Sequence, residues 1–228
     1  MDQRRIAELL QPFLEAGPAP PAQLSSVQLN QISIYIDLLI RWNQRVNLTA
    51  IRTPEEIVTR HFGESLFAAR HLCDTSAGSA LPPAASEVNN VSLLVDLGSG
   101  PGFPGLPIKI WSPQTRVTLI ESSHKKVAFL REVIRELTLM DINVFPGRAA
   151  DFPSKAAILT LRAVERFEAT FPIALSLLAP GATLALLIST PQVARAESIA
   201  PSLRWSSPIA IPQSTFRVLL TATMPESN

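Results

Sequence analysis

Four of the nine glycines of this chain fall within eight residues, in the segment that runs from Asp96 to Gly105 (Asp-Leu-Gly-Ser-Gly-Pro-Gly-Phe-Pro-Gly). Glycine lets a backbone turn tightly and lets a bound molecule approach it closely. The segment follows a run rich in Val and Leu and precedes a short helical pattern. A doubly wound α/β domain holds an adenosine-containing ligand at this place. Because a plain turn needs only one or two glycines, the cluster indicates a ligand-binding loop.

The segment 100–105 also fits the dinucleotide pattern G-x-G-x-x-G. However, Pro104 and Pro107 remove backbone N–H groups that a pyrophosphate would need at the helix start. Asp96, two residues before the first glycine, would repel a pyrophosphate but suits the amino group of S-adenosylmethionine. The loop therefore favours S-adenosylmethionine, and a nicotinamide cofactor is the alternative.

Two charged residues come at the ends of later apolar runs. Glu121 ends the run 116–121, where an acidic side chain commonly holds the ribose hydroxyls of either cofactor class. Replacing Glu121 with alanine is therefore expected to weaken cofactor binding by about 1–3 kcal/mol. Arg162 follows the apolar run 157–161 and suits a carboxylate or a phosphate. On these grounds alone, a surface ion pair explains Arg162 equally well.

The elements around these residues predict a doubly wound α/β domain. Short runs rich in Val, Ile and Leu alternate with helical patterns, which is typical of βαβ units and a parallel sheet covered on both faces. The last two runs, 205–211 and 216–222, are joined by only four residues, so they must form an antiparallel hairpin. We therefore expect a Rossmann-like, mostly parallel sheet with an antiparallel C-terminal strand. The earlier predicted strands are 91–97, 116–121, 141–146, 157–162 and 182–189.

The N-terminal region has a different, helical pattern. Apolar stripes predict helices over 3–15, about 26–46 and about 54–72, and the last follows Thr53 and Pro54, which suit a helix start. Residues 73–90 are small, polar and proline-containing, as a linker is. We therefore divide the chain into a helical cap (1–72), a linker (73–90) and an α/β domain (91–228).

The composition restricts the class of protein. The 228 residues are 46% hydrophobic and 17% charged, which is typical of a globular protein. The net charge of +1 excludes a generally basic nucleic-acid-binding protein but not a local basic patch. The single cysteine, Cys73, excludes an internal disulfide and a cysteine-rich metal site, and we expect no metal. Without a long apolar run or a signal peptide, we expect a cytoplasmic monomer that has no membrane partner.

Several segments, in the expected order, resemble the RsmG (GidB) family of 16S ribosomal RNA guanine-N7 methyltransferases over roughly residues 29–190. The segment 96–105 is the most specific, because Gly-Phe-Pro-Gly is unusual among methyltransferases. The other segments that resemble the family are 38–51, 60–66, 129–132, 147–149 and 161–164.

The resemblance implies a class I S-adenosylmethionine-dependent enzyme that methylates a guanine of 16S ribosomal RNA, by resemblance guanine 527 of the 530 loop. It places Gly98 and Phe103 on the cofactor and Ala149 and Ala150 beside the adenine. It also favours Arg162 as a site residue that positions the substrate. The expected cofactor-binding residues are Asp96, Gly98, Ser99, Gly100, Gly102, Phe103, Glu121, Ala149, Ala150 and Arg162.

Four residues, at three places in the chain, depart from the family's pattern. Ala150 stands where an acidic residue is common, Ala182 where a second glycine is usual, and Ser189-Thr190 where Lys-Gly is frequent. These departures concern details of the substrate side rather than the cofactor loop.

The implied reaction needs no general base, because guanine N7 carries a lone pair and no proton. Catalysis would come from positioning and from loss of solvent. N7 lies in the deep, narrow groove of A-form RNA, so the target base must sit in a loop or be splayed out. The expected partner is 16S ribosomal RNA, either free or in a small-subunit particle.

RNA contacts must be local, because the net charge is only +1. We expect them at Arg41 and Arg45 of the helical cap and at Arg148 and Arg162 near the strand ends. Trp42 has two equal interpretations, an RNA contact or a core residue. Two other functions remain open: a nicotinamide-dependent oxidoreductase, and a non-catalytic module that binds S-adenosylmethionine or RNA.

Overall fold

The computed structural model describes residues 1–17, 20–73, 92–162 and 167–226. The predicted linker lies outside these residues except for Cys73, so the division into cap, linker and α/β domain stays a prediction. Within the described ranges, no helix is both long and apolar enough to cross a membrane.

The N-terminal region is helical, as predicted. Its elements are α1 (Gln3–Glu15), α2 (Ser26–Asn43), α3 (Pro54–Glu56), the π-helical segment Ile57–Gly63 and α4 (Glu64–Cys73). Ser25 begins α2 through a capping box with Gln28, and the Thr53 side chain accepts the Glu56 N–H at the start of α3. The predicted single helix 54–72 is thus interrupted by a π-helical segment, which an apolar stripe does not distinguish from an α-helix.

The strands of the second part of the chain are β1 (Ser92–Leu97), β2 (Val117–Ile120), β3 (Ile142–Phe145), β4 (Ala156–Arg162), β5 (Leu178–Ser189), β6 (Arg204–Trp205), β7 (Ile209–Ala210) and β8 (Arg217–Thr223). They form one sheet with the strand order β3-β2-β1-β4-β5-β8-β6, and β7 also pairs with β8. Strands β1 to β5 are parallel, and β8 is antiparallel to β5. The α/β class with a mostly parallel sheet is therefore confirmed. The connecting helices are α5 (Gly105–Trp111), α6 (His124–Glu136), α7 (Phe167–Leu177) and α8 (Thr190–Ile199).

The C-terminal hairpin differs in one respect from its prediction. The run 205–211 forms two short strands, β6 and β7, and both pair antiparallel with β8. Pro208, between them, has no N–H for the ladder, which explains the break. Strand β5 also begins earlier than predicted, at Leu178.

Alternate side chains of the central strands pack into two clusters on opposite faces of the sheet. On one face, Leu94 and Leu187 belong to a cluster with buried residues of α1, α2, α4, α5 and α6. On the other, Val95 and Leu186 belong to a cluster with residues of α7 and α8. The N-terminal helices therefore share a hydrophobic core with the sheet.

Tyr35 of α2 joins this helical layer to the glycine loop. Its side chain is fully buried, and its hydroxyl donates to the carbonyl oxygen of Pro101. Its ring is parallel to that of Phe103, with centroids 5.3 Å apart and planes 2° apart. Helix α2 thus helps to fix the loop that follows β1.

The change Tyr35→Phe keeps the ring stacking but removes the donor to Pro101. We expect the free energy of unfolding to fall by about 0.5–1.5 kcal/mol, because the partly buried carbonyl of Pro101 loses its hydrogen bond. Urea denaturation of both proteins measures the difference. Equal unfolding free energies would show that the hydroxyl does not stabilise the loop.

Candidate active site

The glycine loop lies at the carboxyl end of β1. Gly98, Gly100 and Gly102 have positive φ angles of +69°, +57° and +96°, which glycine adopts without a side-chain clash. A Cβ added to Gly98 would meet no atom within 4 Å, whereas one added to Gly102 would lie 2.5 Å from the Tyr35 hydroxyl oxygen. Gly98 therefore borders open space, and Gly102 permits close packing against α2.

The backbone N–H groups at the start of α5 are already in use. The Gly105 N–H donates to Asp96 Oδ2 at 3.1 Å, and the Leu106 N–H donates to the Gly102 carbonyl at 2.8 Å. The prolines at positions 104 and 107 have no N–H. Because a pyrophosphate needs free N–H groups at such a helix start, this geometry disfavours a dinucleotide.

Asp96 lies beneath the loop and is 1% exposed. Its Oδ1 accepts the Thr160 hydroxyl at 2.8 Å, its Oδ2 accepts the Gly105 N–H, and its carbonyl accepts the Ser99 hydroxyl at 2.9 Å. Burial raises the pKa of Asp96 to about 6, although the bonds from Thr160 and Gly105 act in the opposite direction. In this structure Asp96 and Ser99 hold the loop, and their contact with a cofactor stays a prediction.

Glu121 follows β2 and faces the same loop. Its Oε2 accepts the Gly100 N–H at 2.9 Å, and its Oε1 accepts the Ser123 N–H at 2.8 Å. Each oxygen can accept a second hydrogen bond, so these contacts leave the carboxylate able to bind hydroxyl groups. The structure places Glu121 beside the loop, and its contact with a ribose stays a prediction.

Phe103 packs against the N-terminal helices. Besides Tyr35, its ring stacks on His61 at a centroid distance of 4.6 Å and meets the edge of Phe62 at 5.2 Å. Only 5% of the residue is exposed. The observed contacts of Phe103 are therefore with the helical layer, and its predicted cofactor contact is not tested by them.

The residues predicted to lie beside the adenine form a 3-10 turn, Ala149–Asp151, after β3. Ala149 is half-buried and Ala150 is exposed, and Arg148 before them is also exposed. Their contacts with cofactor or RNA stay predictions.

Arg41 and Arg45 lie at the end of α2 and just beyond it, and both are exposed. Trp42 packs against the Phe129 ring of α6 at 5.6 Å, and its Nε1 donates to Glu132 at 3.1 Å. Of the two interpretations of Trp42, the packing one matches the structure.

Arg162 ends β4 in a buried ion cluster. Its Nη2 donates to Glu64 Oε2 at 3.0 Å and to the Arg60 carbonyl oxygen at 2.5 Å. Nε of Arg217, the first residue of β8, lies 3.0 Å from the same Glu64 oxygen. Nη1 of Arg162 is buried and has no hydrogen-bond partner among the described residues. Burial lowers the pKa of Arg162 to about 10, so the guanidinium stays charged at neutral pH.

His61 borders this cluster and is neutral. Burial lowers its pKa to about 2, and the charges of Arg162, Arg60 and Arg217 act in the same direction. Its Nε2 lies 2.8 Å from the Thr49 hydroxyl oxygen. The stacking on Phe103 makes His61 a packing contact between the helical layer and the glycine loop.

Sequence reasoning did not find Tyr35, Glu64 and Arg217 as parts of the site. Glu64 offered a signal, because it is an acid between Gly63 and an apolar helical run. Arg217 offered none, since only the fold brings it to Glu64, more than 150 residues away.

The change His61→Phe should alter the pH dependence of stability while keeping a ring on Phe103. The native imidazole stays neutral down to about pH 2, whereas the unfolded one titrates near 6.5, so the unfolded state binds one more proton between these values. Lowering the pH from about 7 to about 5 should therefore destabilise the natural protein more than the variant. Below the unfolded pKa the extra loss approaches about 1.4 kcal/mol per pH unit. Urea unfolding of both proteins at several pH values measures the free energy of unfolding. The same pH dependence of this free energy in both proteins would contradict the prediction.

Comparison with known proteins identifies the family. The family model for GidB, rRNA small subunit methyltransferase G, matches residues 28–197. A ribosomal RNA small subunit methyltransferase G of Xanthomonas oryzae pv. oryzae (strain MAFF 311018) is 40% identical over 152 residues, which are 66% of this chain and 64% of that protein. A protein of the same name from Exiguobacterium sp. (strain ATCC BAA-1283 / AT1b) is 36% identical over 160 residues, 68% of this chain and 61% of that one. The chain thus spans less than two thirds of the length of these relatives.

Solved structures show the same fold at low identity. Magnesium protoporphyrin IX methyltransferase from Synechocystis PCC 6803, solved with bound SAM, superposes with a TM-score of 0.60 and 15% identity, over 85% of this chain and 97% of that one. TYW2 from P. horikoshii, in complex with MeSAdo, gives a TM-score of 0.51 and 21% identity, over 61% of this chain and 59% of that one. The fold is that of class I methyltransferases, and by its family match this chain belongs to the GidB family, rRNA small subunit methyltransferase G.

Proposed function

We propose that this chain transfers a methyl group from S-adenosylmethionine to N7 of a guanine in 16S ribosomal RNA. The observation that carries the proposal is the glycine loop. It borders open space at Gly98, whereas the N–H groups of the following helix start are bonded or missing. A loop of this kind fits a nucleoside cofactor without a pyrophosphate, and membership of the GidB family supports the RNA substrate.

The donor, when bound, supplies a methyl group on a positively charged sulfur. The residues of the chain then have to bind and orient the cofactor and the guanine and to exclude water. They need not remove a proton, because guanine N7 loses none when it is methylated. In this proposal Glu121 would accept hydrogen bonds from a ribose, and the open side of Gly98 would let the cofactor approach the backbone. No acid–base pair is required, so the reaction depends on alignment.

We infer that Arg162 positions an anionic group of the cofactor or of the RNA. Its Nη2 is held by Glu64 and Arg60, while its Nη1 has no partner among the described residues. A fixed guanidinium with a free donor suits a carboxylate or a phosphate oxygen. Arg162 is therefore a positioning residue in this proposal.

The RNA would lie across the exposed arginines. Arg41, Arg45 and Arg148 are exposed, as phosphate contacts need to be. Reversing the charge of Arg41 and Arg45 together should weaken RNA binding and flatten its salt dependence. The cytoplasmic location and the monomeric state stay predictions.

The change Gly98→Leu should weaken the binding of S-adenosylhomocysteine at least about tenfold, because its side chain would occupy the space proposed for the cofactor. Gly181→Leu is the matched control. Gly181 also has a positive φ, and the three atoms nearest an added Cβ there belong to the flexible end of the Glu226 side chain. Calorimetry on both variants measures the binding. Equal loss in the two variants, or binding of NAD in place of S-adenosylhomocysteine, would contradict the proposal.

The proposed activity is tested by methyl transfer from labelled S-adenosylmethionine to free 16S RNA and to small-subunit particles lacking the modification. We expect incorporation at one guanine, with the label at N7. Mapping of the modified nucleotide then tests the position implied by resemblance. Binding of cofactor and RNA without transfer would identify a non-catalytic module.

A further inference from the structure

A pocket of about 270 Å³ borders the Arg162 cluster. It lies between the π-helical segment and the turn that joins β7 to β8. Glu64 is part of its wall and is also the ion-pair partner of Arg162. The pocket lining is Phe13, Thr59, Arg60, Glu64, Pro212, Gln213, Ser214, Thr215, Phe216 and Arg217.

The charges around this pocket are unbalanced. Arg162 and Arg217 pair with the carboxylate of Glu64, Arg60 also lines the pocket, and the adjacent His61 is neutral. The Arg60 guanidinium is exposed, and no hydrogen bond or salt bridge within the described ranges engages it. Three positive charges facing one negative charge favour an anion at the mouth of the pocket.

The rim of the pocket also carries an aromatic side chain. Phe216 is 54% exposed, which is unusual for a residue of its size in this protein. Around it, the hydroxyl of Ser214 accepts the Arg217 N–H at 3.1 Å and keeps its own proton to donate. An exposed ring beside the free guanidinium of Arg60 is the combination with which proteins bind single-stranded nucleic acid, by base stacking and phosphate contacts.

The pocket lies at the same edge of the sheet as the glycine loop. Arg217 begins β8 opposite Ser189, which ends β5, and Arg162 ends the neighbouring strand β4. The single Glu64 oxygen lies 3.0 Å from both Arg162 Nη2 and Arg217 Nε. An RNA strand that presents one base near Arg162 would therefore bring a flanking nucleotide to this pocket.

We propose that this pocket binds a nucleotide next to the target guanine, with its base on Phe216 and its phosphate at Arg60 and Arg217. This inference rests on the proposed function, because it assumes an RNA substrate with unstacked bases. The target guanine would then bind beside the cofactor while the flanking base stacks on Phe216. This separation of the two bases would keep the target guanine unstacked from its neighbour.

Two variants of the full chain test this inference: Phe216→Ala removes the stacking surface, and Arg60→Gln removes the free guanidinium. Both side chains are exposed, and the Arg60 carbonyl that holds Arg162 is unchanged. Met140→Ala and Arg204→Gln are matched controls, since both residues are exposed and neither lines the pocket. Thermal denaturation verifies that all four variants fold.

Fluorescence anisotropy with a labelled single-stranded RNA that spans the modified loop measures the Kd over a range of salt. We expect Phe216→Ala to raise the Kd at least about fivefold. Arg60→Gln should also raise the Kd. It should reduce the magnitude of the slope of log binding constant against log salt concentration by about 0.7, which is the contribution of one phosphate contact on single-stranded RNA. The Kd of S-adenosylhomocysteine should stay unchanged in both, and the controls should bind RNA as the natural protein does.

The outcomes separate this inference from the proposed function. If the natural protein methylates RNA but neither variant changes the RNA Kd, the pocket inference is wrong and the proposed function stands. If the variants lose only the binding of a free mononucleotide such as GMP, the pocket serves a free ligand and the inference is also wrong. If the natural protein neither binds S-adenosylmethionine nor methylates RNA, both fail.

Discussion

The carboxylate of Glu64 holds together the parts of the chain that form the candidate site. It belongs to helix α4 of the N-terminal region, and its Oε2 lies 3.0 Å from guanidinium atoms of β4 and β8. The side chains of Glu64 and Arg162 are 4% and 8% exposed. Ions this far from water are costly unless they are paired, and removing one partner of a buried pair typically costs about 3–5 kcal/mol. The helical layer, the parallel strands and the antiparallel strand are therefore fixed relative to one another at this point.

A second set of contacts acts on the glycine loop. The Tyr35 hydroxyl and the Phe103 ring connect the loop to α2, while Asp96 and Glu121 bind its backbone N–H groups from the strand side. Because these partners come from separate elements, the loop keeps its left-handed glycine conformations in one defined shape. A preformed loop of this kind loses less conformational entropy when a ligand binds.

The local sequence predicted most of the elements, because hydrophobic periodicity and cap residues act over a few residues. The helix Gln3–Glu15, the cap at Thr53 and all five parallel strands agree with their predictions within a few residues. The π-helical segment was not predicted, because it differs from an α-helix only in bonding residues five rather than four positions apart, which the apolar stripe does not show. The break at Pro208 was missed because an apolar run does not show which N–H groups the ladder with β8 uses. Arg162 was predicted as a site residue, but its partners Glu64 and Arg217 were not.

By itself, the sequence determined the fold class, the position of the glycine loop and the family, because each is encoded in neighbouring residues. Only the tertiary structure decided what the charged residues do. It placed Asp96 under the loop, turned Phe103 toward the helical layer and assembled Glu64 with Arg162 and Arg217. The physical reason is that burial and pairing of charges depend on which distant segments meet, and residue type and spacing along the chain do not contain that information.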